Sequence, residues 1–271
     1  MALEIVELVE GEQTGAEAML AGRRVGHLLG RLDEAPSRGK HAWVGLGDHA
    51  LADGESPDLY ADLYAVAGEP WVRRGHLTHI VEVPPNDDVL RVWFALGFGR
   101  EQVYASAPAR SEEPAAPESF SIRQAVPEDV ERALDVADAI TRHQMGPPVW
   151  SGLPLPTREE MRPGWAEFLA EEGAVILLAE RDGDVLGFAA THPGDEPGVA
   201  HLPVAATRAD LRGVGVGHAL AEHALHRAHA DGYRTVELDW RSTNLLASRF
   251  WLRRGFVATH YRLRRDVQPY A

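Results

Sequence analysis

Thr207-Arg-Ala-Asp-Leu-Arg-Gly-Val-Gly-Val-Gly217 decides how the second half of this chain folds. An apolar, strand-like segment precedes it and a helical pattern of apolar residues follows at once, so the glycines sit where a strand hands over to a helix. A helix N-terminus carries N–H groups without partners and a partial positive charge. Glycines at 213, 215 and 217 let the backbone curl without Cβ interference and bring those N–H groups close to an anion. Arg212 adds a charge-assisted hydrogen bond. In physical terms this is a cradle for a diphosphate. A nucleotide P-loop requires Gly-Lys-Ser/Thr, which is missing. A dinucleotide-binding fold sets its glycines after the first strand of a parallel sheet, whereas this loop follows the fourth strand of a region that opens β-α-α-β-β. The plain alternative is a turn that merely needs glycine.

Working outward, a strand is expected at Ser121–Gln124, then a helix from near Pro127, with Pro and Glu128–Asp129 in its first turn. A Pro- and Gly-rich excursion, Met145–Pro156, precedes a second helix around Arg158–Glu171. Strands follow at Ala174–Arg181 and Val185–His192, joined by the hairpin signal Asp182-Gly183-Asp184. Val199–Thr207 reads as a third strand whose pairing Pro203 restricts. The helix after the glycines, Val216–Asp231, gathers Leu220, Ala221, Ala224, Leu225 and Ala228 on one face and stops at Gly232. Strand, helix and strand complete an α/β unit with a mixed, mostly antiparallel sheet flanked by helices.

Here the chain resembles the GNAT superfamily of N-acetyltransferases. The resemblance rests on Arg-x-x-Gly-x-Gly at Arg212, Gly215 and Gly217, and on the downstream Asn244-Leu-Leu-Ala-Ser-Arg-Phe-Trp-Leu-Arg-Arg-Gly-Phe256, similar to that family's Asn-x-x-Ala…Gly-Phe element. It covers roughly Ser121–Arg265. It implies acetyl-CoA as co-substrate and no metal, with the pyrophosphate on the backbone of Arg212, Gly213, Val214, Gly215, Val216, Gly217 and His218. Ala205, Ala206 and Thr207 are then expected to hydrogen-bond the pantetheine arm and acetyl carbonyl. The strands before and after the Gly-rich helix splay apart in this family to admit the thioester, with Asn244, Ala247 and Phe250 lining the far wall. Helix packing accounts for Ala247 and Phe250 as well, and Asn244 is a good N-cap with or without ligand.

The implied reaction is direct attack of a primary amine on the thioester in a ternary complex, which suits a chain without cysteine. An alkylammonium has a pKa of about 10, so a proton must leave it. His201, Asp239 and Glu237 are the candidate bases, Asp239 being equally suited to holding a cationic amine. Glu237 shares a strand face with Asp239. A solvent-facing role for His201 and water-mediated proton loss stay open. The position where the family often has Tyr is Trp251 here, and indole has no useful acidity. Tyr261 is the substitute acid considered, although a thiol near pKa 8.5 can leave without one. His143, Trp150 and Trp165 flank the excursion and are candidates for the acceptor pocket, with packing as the competing explanation. His218, His223, His226 and His229 read as a wetted helix face rather than a metal site. A protein N-terminal or lysine acetyltransferase, or a noncatalytic acetyl-CoA sensor, are the alternatives to a small-molecule acetyltransferase.

Sliding the chain by 158 positions sets Asn86, Arg91, Trp93, Gly97 and Phe98 on Asn244, Arg249, Trp251, Gly255 and Phe256. Such self-similarity marks a duplicated unit. The Pro/Ala/Ser/Glu-rich Ala105–Ser119 reads as the junction. The expected division is 1–106, a degenerate GNAT-like domain; 107–118, a linker; and 119–271, the acetyltransferase domain. The first copy keeps Gly-Phe but has DHALADGESPDL from Asp48 to Leu59, without a basic residue or Gly-x-Gly, so it is not expected to bind coenzyme. The formal net charge of −14 disfavours nucleic acid and anionic membranes as partners. An opening with Glu4, Glu7 and Glu10 is unlike a signal peptide, no apolar run has spanning length, and cysteine is absent, so a cytoplasmic location is expected. A homodimer is left open.

Overall fold

Gly11 and the pair Ala21-Gly22 adopt positive φ (60°, 55° and 75°) and close the first meander of Leu3–Glu10 (β1), Gln13–Leu20 (β2) and Arg23–Ala35 (β3). Gly39–Val44 (β4), His49–Leu51 (β5), Leu59–Arg73 (α1), Thr78–Val83 (β6), Asp87–Ala95 (α2) and Gly99–Pro108 (β7) follow. The second half contains Ser121–Gln124 (β8), Val130–Ala137 (α3), Ala139–Met145 (α4), Arg158–Ala170 (α5), Val175–Arg181 (β9), Asp184–Pro193 (β10), Val199–Thr207 (β11), Val216–Ala230 (α6), Thr235–Arg241 (β12), Leu245–Leu252 (α7) and Val257–Asp266 (β13). The computed structural model describes residues 2–36, 38–151, 155–211 and 213–268. Two units result: Met1–Tyr104 with Ala258–Ala271, and Ala105–Val257.

In the first unit the sheet order is β1-β2-β3-β4-β6-β13, with β5 on β3. Neighbours are antiparallel except β4 and β6, which pair in parallel from His41↔Thr78 to Val44↔Val81. α1 lays Leu59, Leu63, Ala67 and Trp71 on this sheet, the i, i+4 spacing of one helical face. A Cβ on Gly30 would come within 2.6 Å of the Trp71 ring, so the missing side chain lets the indole lie against β3 while its N–H donates to the Thr14 carbonyl at 2.9 Å. Tyr64, Trp71, Trp93 and Phe98 share the core through edge-on contacts.

In the second unit β8, β9, β10 and β11 are antiparallel and β12 joins β11 in parallel. Asp182 (φ 53°) and Gly183 (φ 91°) form the β9–β10 turn, the positive-φ pair that matches strand twist. α6 buries Val216, Leu220, Ala221, Ala224, Leu225 and Ala228. A second cluster joins Ala133 and Val136 of α3 to Ile176, Leu178, Phe188 and Ala190 of the sheet, with Trp165 and Phe168 of α5 against it. The helix expected after Pro127 is interrupted: a 3-10 turn leads into α3, and Asp138 separates α3 from α4. Asp129, 4% exposed, accepts from both Arg123 guanidinium nitrogens at 2.6 and 2.7 Å and from the Val126 N–H at 2.9 Å. Those bonds, with Arg123 foremost, hold its carboxyl far below the usual range.

The duplicated positions play the same parts. Asn86 and Asn244 are N-caps of α2 and α7, their side chains accepting backbone N–H bonds. Trp93 and Trp251 are buried, Gly97 and Gly255 have φ 85° and 84°, and Phe98 and Phe256 are core residues. The division differs from the expected one at the C-terminus. β13 lies with the first unit, antiparallel to β6. The expected junction also begins later, because β7 continues to Pro108. Ala109 and Arg110 then donate backbone bonds to the carbonyls of Arg234 and Leu225.

Candidate active site

The site opens where β11 and β12 part. Their parallel ladder holds Val199↔Thr235, Ala200↔Val236 and His201↔Glu237, and ends there, although β11 runs on to Thr207 and β12 to Arg241. A bulge explains the divergence. Between the β10–β11 pairs Ala190↔Val204 and His192↔His201, one residue of β10 faces Leu202 and Pro203 of β11. An extra residue bends and twists its strand, and Pro203 has no N–H to give to a ladder.

A cavity of about 470 Å³ lies within this second unit. Its apolar wall comes from Phe188, Leu220, Ala221, Phe250 and Trp251, with Ile140 of α4 and Leu246 of α7. Ala205, Ala206 and Thr207 line it from β11; Gly213, Gly215, Val216, Gly217 and His218 from the loop and the start of α6; Asn244 and Ala247 from α7. Val214 is exposed and is not part of the lining. Arg212 lies outside the described residues.

The N-cap of α6 is Gly215, at φ 93°, which has no side chain with which to cap the helix. Gly213 has φ 87°. Side chains adopt such values only with strain, so both positions depend on glycine. Gly217 serves differently, because it is helical and a Cβ there would stand 3.3 Å from the Phe250 ring and 3.4 Å from the Thr207 methyl. The helix N-terminus therefore approaches the cavity closely, and among the described residues no N-cap side chain covers its first N–H groups.

Asn244 Oδ1 accepts the Ala247 N–H at 3.1 Å and lies 3.2 Å from His143 Nε2. With the oxygen engaged, what this side chain can offer a ligand is its NH2 group. Trp165 packs edge-on against Phe188, whereas Trp150 is exposed. His223 and His226 face backbone carbonyls and His218 stands 3.7 Å from Glu222. No group of three metal-ligating side chains occurs among the described residues.

Arg254 is a cavity residue that sequence reasoning missed. Its guanidinium lies 3.5 Å above the Phe250 ring centroid and donates to the Phe250 carbonyl at 2.9 Å. Burial lowers its pKa. Only the basic pair before Gly255-Phe256 hinted at a cation here. Arg110 fastens the neighbourhood, bonding Glu222 of α6 and, at 2.8 Å, the Arg254 carbonyl.

His201 and Asp239 come together at the end of the β11–β12 ladder, 3.9 Å apart, while His201 Nδ1 lies 3.1 Å from His192 Nε2. Neither lines the cavity just described. Tyr261 belongs to the first unit. It pairs with Val83 on the first unit's sheet, packs on that unit's core and carries Arg100 4.7 Å from its ring centroid. Its expected membership of the second domain is corrected, because strand pairing is non-local and the chain order after Phe256 does not say which sheet the last strand joins.

Residues 138–256, most of the second unit, match the model of the Acetyltransferase (GNAT) family. The resemblance to that family is thus carried by this stretch of the second unit. A mycothiol acetyltransferase from Cellulomonas flavigena is 39% identical to it over 95 residues, which cover 32% of this chain and 27% of that relative. The aligned stretch thus spans about a quarter of the curated relative's length. Among solved structures, a GCN5-related N-acetyltransferase from Sphaerobacter thermophilus superposes with a TM-score of 0.61 at 17% identity, over 97% of this chain and 84% of the other. A tandem GNAT protein from the clavulanic acid biosynthesis pathway gives 0.50 at 17% identity, over 96% and 84%. The architecture is accordingly that of two tandem GNAT-like domains. In the second unit, the splayed strands and the start of α6 flank one cavity.

Proposed function

We propose that the second unit transfers an acetyl group from acetyl-CoA to a primary amine of a small molecule, by direct attack in a ternary complex. One observation carries the reading: the cavity between diverging strands is bordered by a helix N-terminus whose N-cap is a glycine and whose turn requires glycine. Such a terminus suits a diphosphate, and Arg254 adds a cation on the same wall. The backbone of Ala205–Thr207 is the candidate partner for the pantetheine arm, with the Asn244 NH2 opposite. Apolar lining from Phe250 and Trp251 excludes water from the thioester. His201 or Asp239 receives the ammonium proton, the amine nitrogen then attacks the thioester carbonyl, and the C–S bond breaks. Trp251 cannot protonate sulfur, and a thiol of pKa about 8.5 leaves as thiolate without a dedicated acid. The first unit is proposed as a degenerate copy that binds no coenzyme. The relative's name, mycothiol acetyltransferase, supports acetyl transfer to a small molecule.

The test uses the full chain. Calorimetry should show association of acetyl-CoA, and a panel of small amines should release free thiol, measurable with a thiol reagent because the protein has no cysteine. Absence of acetyl-CoA binding overturns the assignment. Binding without turnover supports a sensor, and acetylated peptides without acetylated small amines support a protein modifier.

A further inference from the structure

Acetylation of an ammonium releases more protons than the thiolate can take. R–NH3+ and acetyl-CoA become R–NH–acetyl, CoA–SH and one H+: the N–C bond forms, the C–S bond breaks, one of two protons leaving nitrogen goes to sulfur and the other must leave the site. Four side chains of the second unit form a row that fits this need. Asp239 Oδ1 lies 3.9 Å from His201 Nε2, His201 Nδ1 lies 3.1 Å from His192 Nε2, and His192 Nδ1 lies 3.7 Å from Glu171 Oε1. His192 and His201 are direct cross-strand partners on β10 and β11, next to the bulge at Leu202-Pro203. The His192 ring is also held edge-on against Phe168 of α5, and Glu171 is the C-cap residue of that helix. Glu171 is the most exposed of the four, at 48% against 27–34% for the others.

Counting protons gives the row its meaning. Two ring nitrogens 3.1 Å apart need one hydrogen between them. The neutral pair holds two N–H protons, one of them shared. Adding a third makes a cation with one shared proton and an N–H at each outer nitrogen, 3.9 and 3.7 Å from a carboxylate oxygen. The pair can therefore accept a proton at His201 Nε2 and release a different one from His192 Nδ1, which leaves both rings in the opposite tautomer until they turn or exchange protons with solvent before the next turnover.

We infer that Glu171, His192 and His201 form a proton relay that carries the amine's proton from the diverging strands, beside Asp239, out to solvent at Glu171. His201 and Asp239 act at the acceptor; His192 and Glu171, acting through His201, are positioning residues. The inference rests on the proposed amine acetylation. Glu237, the backbone partner of His201 on the same face of β12, is the further carboxylate bordering the pair.

The first test needs no substrate. Long-range 15N–1H NMR of the histidine rings in the full chain, followed across pH, should show His192 and His201 taking up protons as a coupled pair, each responding to Glu171→Gln and to Asp239→Asn. Independent titration of the two rings, indifferent to both substitutions, overturns the relay. The second test is kinetic, with acetyl-CoA and 2-phenylethylamine as probe. His192→Phe keeps a ring against Phe168 and removes both nitrogens. It should lower kcat roughly a hundredfold, leave the calorimetric affinity for acetyl-CoA unchanged, and recover activity on addition of imidazole. A His192→Phe enzyme with the wild-type rate overturns the relay. Wild-type protein that acetylates no amine refutes the functional proposal instead, and the ring titration then still decides whether the proton row exists.

Discussion

Gly215, Asn86 and Asn244 show how far one side chain reaches. The φ of 93° at Gly215 is strained for any residue with a Cβ, by about 1–3 kcal/mol. Relaxing that strain tilts the first N–H groups of α6 away from the cavity. Gly215→Val should therefore weaken acetyl-CoA binding at least about tenfold, equivalent to about 1.4 kcal/mol, as measured by calorimetry; unchanged affinity would remove this loop from the coenzyme site. The two asparagines separate capping from binding, because both cap helices and Asn244 in addition lines the cavity of the second unit. Asn86→Ala and Asn244→Ala should each cost about 1 kcal/mol of stability in denaturant titrations. Only Asn244→Ala should also reduce acetyl-CoA affinity, and an equal loss from Asn86→Ala would contradict the assignment.

Pairs of strands distinguish the two copies. β11 and β12 share three ladder positions and part, whereas β4 and β6 stay paired to Val44, the last residue of β4. Beside that closed pair, β6 buries His79, which is 1% exposed. Its Nδ1 accepts from the Tyr64 hydroxyl at 2.7 Å and its Nε2 donates to the His76 carbonyl at 3.0 Å. A neutral ring fills both roles, and burial pushes its pKa down to about 4. Between the ordinary value of 6.5 and about 4 the unfolded chain binds the proton and the folded one does not. Stability from this site is thus complete above 6.5 and is lost as pH falls towards 4, to an extent of about 3 kcal/mol. Amide protection factors in the first unit, with the intrinsic pH dependence of exchange divided out, should fall over that window, and His79→Gln should flatten the dependence. A pH-independent protection factor would show that His79 does not contribute.

The tandem arrangement makes a prediction about stoichiometry. In the first unit the helix corresponding to α6 is α1, with Asp58 at its start and no glycine cradle before it. The loop ahead of it spends His49–Leu51 on a short strand against β3. One acetyl-CoA per full chain is the expected calorimetric result; two would assign a site to the first unit.

The composition of the cradle, the capped helix ending at Gly255-Phe256 and the duplication were legible without coordinates, because turn chemistry, helix capping and apolar spacing are local and one segment suffices to express them. The Tyr261 strand was not, since β13 could join either sheet with the same alternation of side chains. The union of Glu171, His192, His201 and Asp239 was equally hidden. These residues come from a helix end and three strands, brought together by a cross-strand register and a two-residue bulge. Arg254 reads as an ordinary basic residue until Phe250 folds beneath it. Local backbone preference decided what each segment is; which segments meet, and so which groups can exchange a proton, was decided by packing between residues far apart in the chain.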